Sequence, residues 1–344
     1  MLRAHIFCVL AMSACAALAD TTPQSHAPIG VMGDHLHKEG ELMFSYRFMR
    51  MSMRGNRDGT SDLSRTEVIQ EPNVFANPPM IPPTLRVVPT DMTMDMHMFG
   101  MMYAPSDQVT LMAMTNLIKK EMDHTTFAGP MGTTVLGEFT TETSGIGDTS
   151  LSALVRLNDN WHANIGFSIP TGSIEERDNI LTPMGTRPRT RLPYPMQLGS
   201  GTYDLLPGIT YNAYDGAWGW GAQWSSRIRI GENEEDYTLS DDHQLQAWGS
   251  YQVSDAVSLS ARLALRDLQE IDGMDPAIRA PVQTANPDNH GGTTITAFLG
   301  SNFLLPGHEH RIALEVGMPI RQDLNGPQMK SDWQVTLGWQ YSPH

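Results

Sequence analysis

The sequence predicts an all-β protein, a twelve-stranded antiparallel transmembrane β-barrel of the outer membrane. Three observations support this fold: apolar and polar residues alternate with a period of two, short and long connections alternate along the chain, and an export signal stands at the N-terminus. The twelve strands are predicted near 41–54, 93–104, 107–119, 147–157, 160–170, 202–214, 217–231, 242–254, 256–268, 292–305, 308–320 and 331–341.

Residues 1–19 are typical of a signal peptide. Arg3 supplies the positive start, residues 6–14 form an apolar run, and Ala17-Leu18-Ala19 is a small-residue cleavage site. A lipoprotein signal is the alternative, with Cys15 lipidated after "MSA", although Met is a poor first residue for such a box. Because Cys8 and Cys15 both lie in this segment, we expect no disulfide and no thiolate metal site in the mature chain.

The charge of the mature chain argues against nucleic acid as a partner. Removing the signal leaves 22 basic against 38 acidic residues, a formal charge of −16, which would repel phosphate. No later stretch has the roughly 20 apolar residues of a membrane helix. An exported chain of this kind is therefore expected to be a periplasmic β protein or an outer-membrane barrel of a Gram-negative bacterium.

The strand pattern favours the barrel. "WHANIGFSI" (161–169), "AVSLSARLALRDL" (256–268) and "WQVTLGWQY" (333–341) each alternate apolar and polar residues over about ten positions. Tilted strands need roughly this length to cross a bilayer, whereas strands of soluble sandwiches are usually nearer 5–6 residues. Aromatic residues at the ends of these runs suit the girdles of a membrane barrel.

The connections supply an independent test. "PS", "ND", "DG", "D" and "PG" are tight turns after every second strand, and the connections between them are long: 55–92, 120–146, 171–201, 232–241, 269–291 and 321–330. Outer-membrane barrels have short periplasmic turns and long external loops. We therefore predict a periplasmic N-terminal segment at 20–40 and a barrel at 41–344, with 55–92, 120–146, 171–201 and 269–291 as its main external loops. Both termini would then be periplasmic, and the partners would be outer-membrane lipid and the barrel-assembly machinery.

The face opposite the lipid-facing residues is predicted to line a wet or plugged lumen. Its members are polar, charged or thioether side chains: Arg47, Met112, Met114, Arg156, Asp204, Arg227, Arg229, Arg262, Arg266, Arg311 and Glu315. Pairing of the arginines and carboxylates as structural bracing is favoured over substrate binding. If Arg227, Arg229, Arg262 and Arg266 were unpaired, they would set an electrostatic field inside the lumen.

Four phrases resemble a known family. "SGIGDTSLSALVRL", "IGFSIPTGS", "QLGSGTYDLLPGITY" and "ALEVGMPIRQDLNGPQMKSDWQVTLGWQY" are similar to the outer-membrane family named after phenol meta-pathway degradation. The resemblance covers roughly residues 40–341 and implies a transporter-like, porin-like barrel for small, often apolar, compounds. Two features depart from the pattern: the chain ends "YSPH" rather than on an aromatic residue, and its first quarter is rich in methionine.

The methionines are concentrated early in the mature chain. Sixteen of the 21 that follow the signal lie between Met32 and Met131. On strand one, Leu42, Phe44, Tyr46 and Phe48 are predicted to face lipid, so Met43, Met49, Met51 and Met53 would point inward. Met112 and Met114 of strand three would do the same. Two strands are thus expected to turn thioethers towards the lumen.

The orientation of strand two is left open by its sequence. Met92, Met94, Met96, Met98 and Met102 share one face of "TDMTMDMHMFGMMY", and Asp95, His97, Phe99, Met101 and Tyr103 share the other. If the polar face lines the lumen, Asp95, His97 and Met101 point inward; a bulge would reverse this. Either way, Met94, Met96 and Met98 are expected beside Met49, Met51 and Met53 near the external mouth.

Two interpretations of this sulfur-rich patch compete. Thioethers select Cu(I) and similar soft ions, and imidazole binds copper in either state, so Met49, Met51, Met53, Met94, Met96, His97, Met98 and Met101 are candidate metal ligands. Methionine is also a flexible filler of apolar surfaces. His35 and His37 in "GDHLHKEGE" would add ligands on the periplasmic side.

The residues therefore predict a channel or transporter for a small solute. The solute is a soft metal such as Cu(I) or Ag(I), with no cofactor required, or an apolar or aromatic compound. A structural or adhesin barrel without transport is a further alternative. An enzyme is not expected, because a barrel phospholipase needs a Ser-His pair with an orienting group on its outer wall, and no such spacing is recognisable.

Overall fold

The computed structural model describes residues 22–343, so the predicted signal peptide lies outside the described residues. Within this range the chain forms seventeen strands, one short helix, α1 (Arg65–Val68), and 3₁₀ turns at Pro23–Ser25, Tyr194–Met196 and Gln283–Ala285. The strands are β1 (Leu42–Gly59), β2 (Ser61–Leu63), β3 (Val87–Ser106), β4 (Val109–Phe127), β5 (Val135–Ile146), β6 (Thr149–Arg156), β7 (Trp161–Ile169), β8 (Arg177–Asn179), β9 (Arg189–Arg191), β10 (Tyr203–Asp215), β11 (Trp218–Ile230), β12 (Tyr237–Thr238), β13 (Asp242–Ser254), β14 (Val257–Leu268), β15 (Asp272–Gly273), β16 (Gly292–Leu304) and β17 (His310–Tyr341).

The long strands close into an antiparallel barrel. Their order is β17-β16-β14-β13-β11-β10-β7-β6-β4-β3-β1, and β1 pairs back with β17. Strands β2 and β5 pair with β1 and β4 respectively, outside this ring. Closure gives every strand of the ring two neighbouring strands, as a barrel in lipid requires.

The ring has eleven strands among the described residues, where twelve were predicted. The predicted strands 308–320 and 331–341 are parts of one 32-residue strand, β17, and the predicted loop 321–330 is extended chain within it. The first part of β17, from Arg311 to Leu324, pairs with β16, and the second, from Leu324 to Tyr341, pairs with β1.

The five predicted tight turns join β3 to β4, β6 to β7, β10 to β11, β13 to β14 and β16 to β17. They all lie at one end of the barrel, which we call the short-turn end. The connections 170–202, 231–241 and 269–291 lie at the other end, the long-loop end, close to where the sequence predicted them.

Two further predicted loops differ from the structure. Residues 120–146 are mostly strand, because Leu117–Phe127 of β4 pair with residues 135–146 of β5 and leave only 128–134 as a connection. The connection predicted at 55–92 shrinks to 60–86 and contains β2 and α1. Both differences arise because the strands continue past the ends of their apolar stretches.

The connections at the long-loop end pack on one another as a loop cap. Its buried apolar residues are Val87, Phe139, Leu181, Tyr194, Tyr237, Ile271, Ile278, Val282 and Ala285. Arg191, with 4% of its side chain exposed, is held in the cap by Glu175, Glu235 and Asp275 at 2.6–2.8 Å. Apolar packing and a buried ion-pair network therefore hold these loops together.

The barrel wall is apolar on its outer face. Leu259, Leu263 and Leu299 point outwards and are 54%, 53% and 72% exposed, whereas the alternate side chains are polar and buried in the lumen. This is the pattern expected of strands whose outer face meets lipid. No helix among residues 22–343 is long and apolar enough to cross a membrane.

Candidate functional site

Residues 22–41 fold into the lumen from the short-turn end and form a plug. Ser258 Oγ, beside a tight turn, donates to Pro23 O at 2.8 Å, whereas Gln223 Nε2, deeper in the barrel, donates to Met32 O at 2.9 Å. The chain therefore enters at the short-turn end, rises into the lumen and comes back before β1. The sequence predicted residues 20–40 as a periplasmic segment. In the structure the described part, from residue 22, lies inside the barrel, where side chains of the wall form hydrogen bonds with its backbone carbonyls.

The tip of the plug is a tight turn that contains Gly30 and Gly33. Val31 N donates to Pro28 O at 2.9 Å, and Gly33 adopts φ +60°, a left-handed conformation that favours glycine. A Cβ at Gly30 would overlap the ends of the side chains of Arg262 and Glu315, so glycine is needed for this close approach.

The two limbs of the plug bring a histidine–aspartate cluster together. His26 lies on the entering limb, and Asp34 and His35 lie on the returning limb; one possible ligand atom from each falls within 4.8 Å of the others. All three side chains are buried in the lumen. Asp34 Oδ1 is 2.9 Å from His35 Nδ1, and its Oδ2 accepts a bond of 3.0 Å from Ala27 N.

The protonation states in this cluster follow from burial and neighbouring charge. Burial, with Arg311 nearby, lowers the pKa of His26 well below its usual value, so this imidazole is neutral at neutral pH. Burial opposes ionisation of Asp34, but His35 and Arg311 hold the pKa of its carboxyl far below the usual range. A neutral imidazole and an ionised carboxylate are the forms that ligate metals.

His37 was predicted to act with His35. Their ring centroids are 4.9 Å apart, and His37 Nδ1 is 3.3 Å from Glu41 Oε2. The structure thus brings the predicted pair together, but in the lumen rather than in a tail below it. It also adds His26. Sequence spacing missed this residue because Asp34 and His35 follow it by eight and nine positions, and only the turn between the two limbs brings them beside it.

Methionines from three neighbouring strands pair directly across the inner wall. In the β1–β3 register Met49 lies opposite Met96, Met51 opposite Met94 and Met53 opposite Met92. The β3–β4 register continues the rows, with Met92 opposite Met122 and Met102 opposite Met112. Directly opposed residues have Cβ atoms roughly 4.5–5.5 Å apart, so thioethers of different strands are neighbours.

The register settles which face of strand two lines the lumen. Met94, Met96 and Met98 point inward with Met49, Met51 and Met53, as expected for a shared patch. The inward placement considered for Asp95, His97 and Met101 is wrong: all three lie on the outer wall. Met101 is 44% exposed there, Asp95 pairs with Arg50 at 2.6 Å, and His97 Nδ1 is 2.8 Å from Tyr46 Oη. Pairing with β1 satisfies these outward polar groups, so polarity alone was misleading.

A cavity of about 330 Å³ lies on the long-loop side of the plug tip. Thioethers line one side of it, from Met32 of the plug, Met96 and Met98 of β3, and Met112 and Met114 of β4. The rest of the lining is mainly polar and includes Arg227, Asp242, Asp148, Ser225, Asn164 and Gln244. The cavity can therefore offer a ligand both soft sulfur and charged groups.

Towards the long-loop end the methionine rows end in a buried cluster. Met92 and Met122 pack there with Leu192 and Met196, which belong to the connection 170–202. Met53 and Met329 are partly buried against them. The sequence predicted sulfur near this mouth but not that a loop would close over it.

The predicted lumen-lining charges are mostly paired. Arg262 binds Glu315 through Nε and Nη2 at 2.9 and 2.6 Å, and Arg266 binds Asp242 at 2.9 and 2.8 Å. Asp204 accepts from both Arg227 and Arg229. Each of the four arginines has a carboxylate partner, as the bracing interpretation expects. Arg227 and Arg229 share one carboxylate, so the set of four arginines and three carboxylates keeps one excess positive charge.

The remaining predicted lumen residues also lie on the inner face. Arg311 is buried and donates to Gln340, Asn302 and Ala27 O at 2.6–2.7 Å. Arg47 is 6% exposed, and Arg156 donates to Asp107 O at 2.9 Å beside the short-turn end.

One Ser-His contact was not recognised in the sequence. Ser226 Oγ and His243 Nδ1 are 2.6 Å apart on the outward face of β11 and β13. A hydrolytic triad also needs a group that orients the imidazole. Among the ion pairs of residues 22–343, no carboxylate lies within 4.0 Å of a His243 ring nitrogen.

Comparison with solved structures places the fold among outer-membrane channel barrels. The chain is similar to the COG4313 outer membrane channel from Pseudomonas putida F1, with a TM-score of 0.60 and 15% identity, covering 90% of this chain and 98% of that one. The Ralstonia pickettii toluene transporter TbuX has a TM-score of 0.47 and 10% identity, with 97% and 96% covered. The Pseudomonas putida toluene transporter TodX has a TM-score of 0.44 and 10% identity, with 89% and 90% covered. No protein-family model matches the chain, and a search of curated proteins finds no match.

Proposed function

We propose that the protein is an outer-membrane channel that passes a small solute through the thioether-lined cavity of its lumen. The observation that carries this proposal is the cavity of about 330 Å³ between the plug tip and the long-loop end. Its size falls near the lower limit of ligand sites, roughly 300–1,000 Å³. A barrel that served only as a membrane anchor would have no need of such a chamber.

We further propose that the barrel crosses the membrane twelve times, because β17 crosses it twice. Ser342 N donates to Glu309 O at 2.9 Å, and His310 stacks on Tyr341 with centroids 4.7 Å apart, so the two ends of β17 are neighbours. A strand that pairs with β16 through one part and with β1 through the other would contribute two membrane-crossing segments to the barrel wall. The short-turn end and the plug would then face the periplasm.

The family named after phenol meta-pathway degradation remains part of the proposal. The quoted phrases support it, and so does the likeness of fold to an outer-membrane channel. Export by a cleaved signal peptide and folding by the barrel-assembly machinery belong to the same proposal.

We favour a soft monovalent cation, Cu(I) or Ag(I), as the solute. Met49, Met51, Met94 and Met96 form two opposed pairs on the inner wall, and Met96 continues into the cavity. Such pairs place two thioethers side by side, as a soft ion requires. Successive pairs along the strands would let an ion move between similar weak sites.

An apolar small molecule is the second candidate. Methionine is flexible and polarisable and packs well against irregular apolar ligands. Leu206 and Pro207 extend the apolar lining beyond the five methionines of the cavity. The same wall therefore suits a small hydrocarbon, and sulfur must be separated from apolar volume to decide between the two.

Replacing Met96, Met98, Met112 and Met114 together by leucine makes this separation. Leucine keeps apolar volume and removes the soft donor. Cu(I) binding to the purified barrel is measured without oxygen against a chromophoric chelator, and Cu(I) entry is measured in proteoliposomes containing a Cu(I)-sensitive dye. We expect the variant to bind Cu(I) at least 10-fold more weakly than the parent and to pass it more slowly.

The matched control replaces Met80, Met131, Met184 and Met274 by leucine. These four are exposed side chains of the loops, so equal sulfur is lost outside the cavity. The control should behave like the parent. Equal Cu(I) binding by the parent and the cavity variant would reject a soft metal as the solute. Entry of toluene into proteoliposomes that contain either barrel would favour the apolar solute. Passage of neither solute would leave a structural or adhesin barrel.

A further inference from the structure

The histidine–aspartate cluster of the plug is a second site, separate from the methionine cavity. It lies nearer the short-turn end, whereas Met32 at the plug tip marks the floor of the cavity. Imidazole and carboxylate are harder donors than thioether, so the cluster selects a different class of ion. Metal binding at this cluster is therefore independent of which solute passes through the methionine cavity.

We propose that His26, Asp34 and His35 bind a divalent transition-metal ion that fixes the plug in the lumen. Their possible ligand atoms lie within 4.8 Å of one another, and adjacent ligands of a tetrahedral ion are roughly 3.4 Å apart at bond lengths near 2.1 Å. Small side-chain movements would thus bring all three onto one ion. Two imidazoles and one carboxylate are a ligand set that Zn(II) and Cu(II) accept.

His26 supplies a second observation that points to a ligand. Its side chain is 8% exposed, and within the described part of the chain its Nδ1 has no hydrogen-bond partner. A buried imidazole nitrogen without a partner is costly, since burial removes its bond to water. A metal ion bound at Nδ1 would satisfy this atom.

Asp34 is held in place before any ion binds. Ala27 N donates to its Oδ2 at 3.0 Å, and Oδ1 lies 2.9 Å from His35 Nδ1. Carboxylates and imidazoles that bind metals are usually oriented by such contacts. The bond from Ala27 also links the two limbs of the plug, so an ion held by His26, Asp34 and His35 would join the same limbs a second time.

Two small cavities lead towards the cluster from the short-turn end. One of about 30 Å³ is lined by His26, His308 and Glu309, and one of about 90 Å³ is lined by His35 and His162. They place small spaces beside both limbs of the plug, on the side away from the methionine cavity. Arg311 lies close to His26, and its positive charge opposes cation binding, so we expect moderate affinity.

The test measures binding of Zn(II) and Cu(II) to the full-length barrel, purified without a histidine tag and stripped of metal. Zn(II) is quantified by equilibrium dialysis and elemental analysis, and Cu(II) by electron paramagnetic resonance. The parent should bind one ion per barrel and show coupling of Cu(II) to two nitrogens. H26Q, D34N and H35Q should each weaken binding at least 10-fold, and H26Q should leave coupling to one nitrogen.

The control variant is H97Q, which removes a histidine from the outer wall and should bind as the parent does. The quadruple methionine variant should also keep Zn(II) binding, which separates this site from the cavity. Absence of a bound ion in the parent, or unchanged affinity in a folded H26Q/H35Q double variant, would overturn the proposal. If the variants do not fold, the parent spectrum decides, because Cu(II) without coupling to two nitrogens contradicts the site.

Discussion

The ion pair between Arg262 and Glu315 offers the sharpest test of how the lumen is held together. Its side chains are 2% and 1% exposed, and two hydrogen bonds of 2.9 and 2.6 Å join them. Arg262 also donates to Gln246 Oε1 at 2.8 Å and lies 3.7 Å from the centroid of the Phe298 ring. We predict that Glu315→Gln destabilises the barrel, because the guanidinium loses its countercharge while remaining buried.

The expected loss is about 3 kcal/mol in the free energy of unfolding. Removing one partner of a buried ion pair costs roughly 3–5 kcal/mol, since the other charge is left uncompensated. Glutamine keeps the side-chain volume and one acceptor oxygen, and the bond from Arg262 to Gln246 remains. These retained contacts place the estimate at the lower end of that range.

Urea unfolding of the purified barrel in detergent micelles, followed by tryptophan fluorescence, measures this difference. Asp62→Asn is the matched control, because Asp62 is 54% exposed and its contacts with Arg57 and Lys330 are at the surface. We expect less than about 1 kcal/mol for the control. Equal unfolding free energies for Glu315→Gln and Asp62→Asn would show that the buried pair contributes no more than a surface pair, and the reasoning would be refuted.

Two further substitutions test the plug and the cavity by planar-bilayer conductance. Gly30→Ala should displace the plug tip, because its Cβ overlaps the buried ion pair, and should raise conductance; Gly249→Ala, whose Cβ meets open space, should not. Unchanged conductance in Gly30→Ala would mean that the tip does not limit passage. Arg227→Gln removes a positive charge from the cavity lining and should raise selectivity for cations over anions, whereas Arg54→Gln on the outer face should leave it unchanged. A shift towards anions would contradict the assignment of Arg227 to the conducting path.

The strand pattern and the tight turns could be predicted because both are local. A strand with lipid on one side must alternate apolar and polar side chains. The five tight turns, the first at 105–106 and the last at 306–307, are too short to join two long strands in any way but as antiparallel neighbours. The pairing of Leu117–Phe127 with residues 135–146 is different. Outside the membrane both faces of a hairpin can be polar, and Lys119 pairs with Glu142 at 3.2 Å, so the segment has the composition of a loop.

The plug could not be predicted from residues 22–41 themselves. The segment has neither the two-residue period of a strand nor the roughly 3.6-residue period of a helix. It is held by partners far along the chain, such as Ser258, Gln223 and Asn302. Sequence spacing identified His35 and His37 as a pair because they are two residues apart. It could not supply His26, whose position beside Asp34 depends on the turn at the plug tip.

The face of strand two shows how a neighbouring strand decides what the strand's own sequence leaves open. Both faces of β3 carry methionine, and only one carries Asp95 and His97, so polarity favoured the wrong face for the lumen. Strand β1 has an unambiguous outer face in Phe44 and Phe48, and antiparallel partners directly opposite each other must share a face. The pairing of Phe48 with His97 therefore turns His97 outwards, and with it every odd-numbered residue of β3 near it. The same constraint turns the even-numbered methionines inwards, which concentrates sulfur in the lumen.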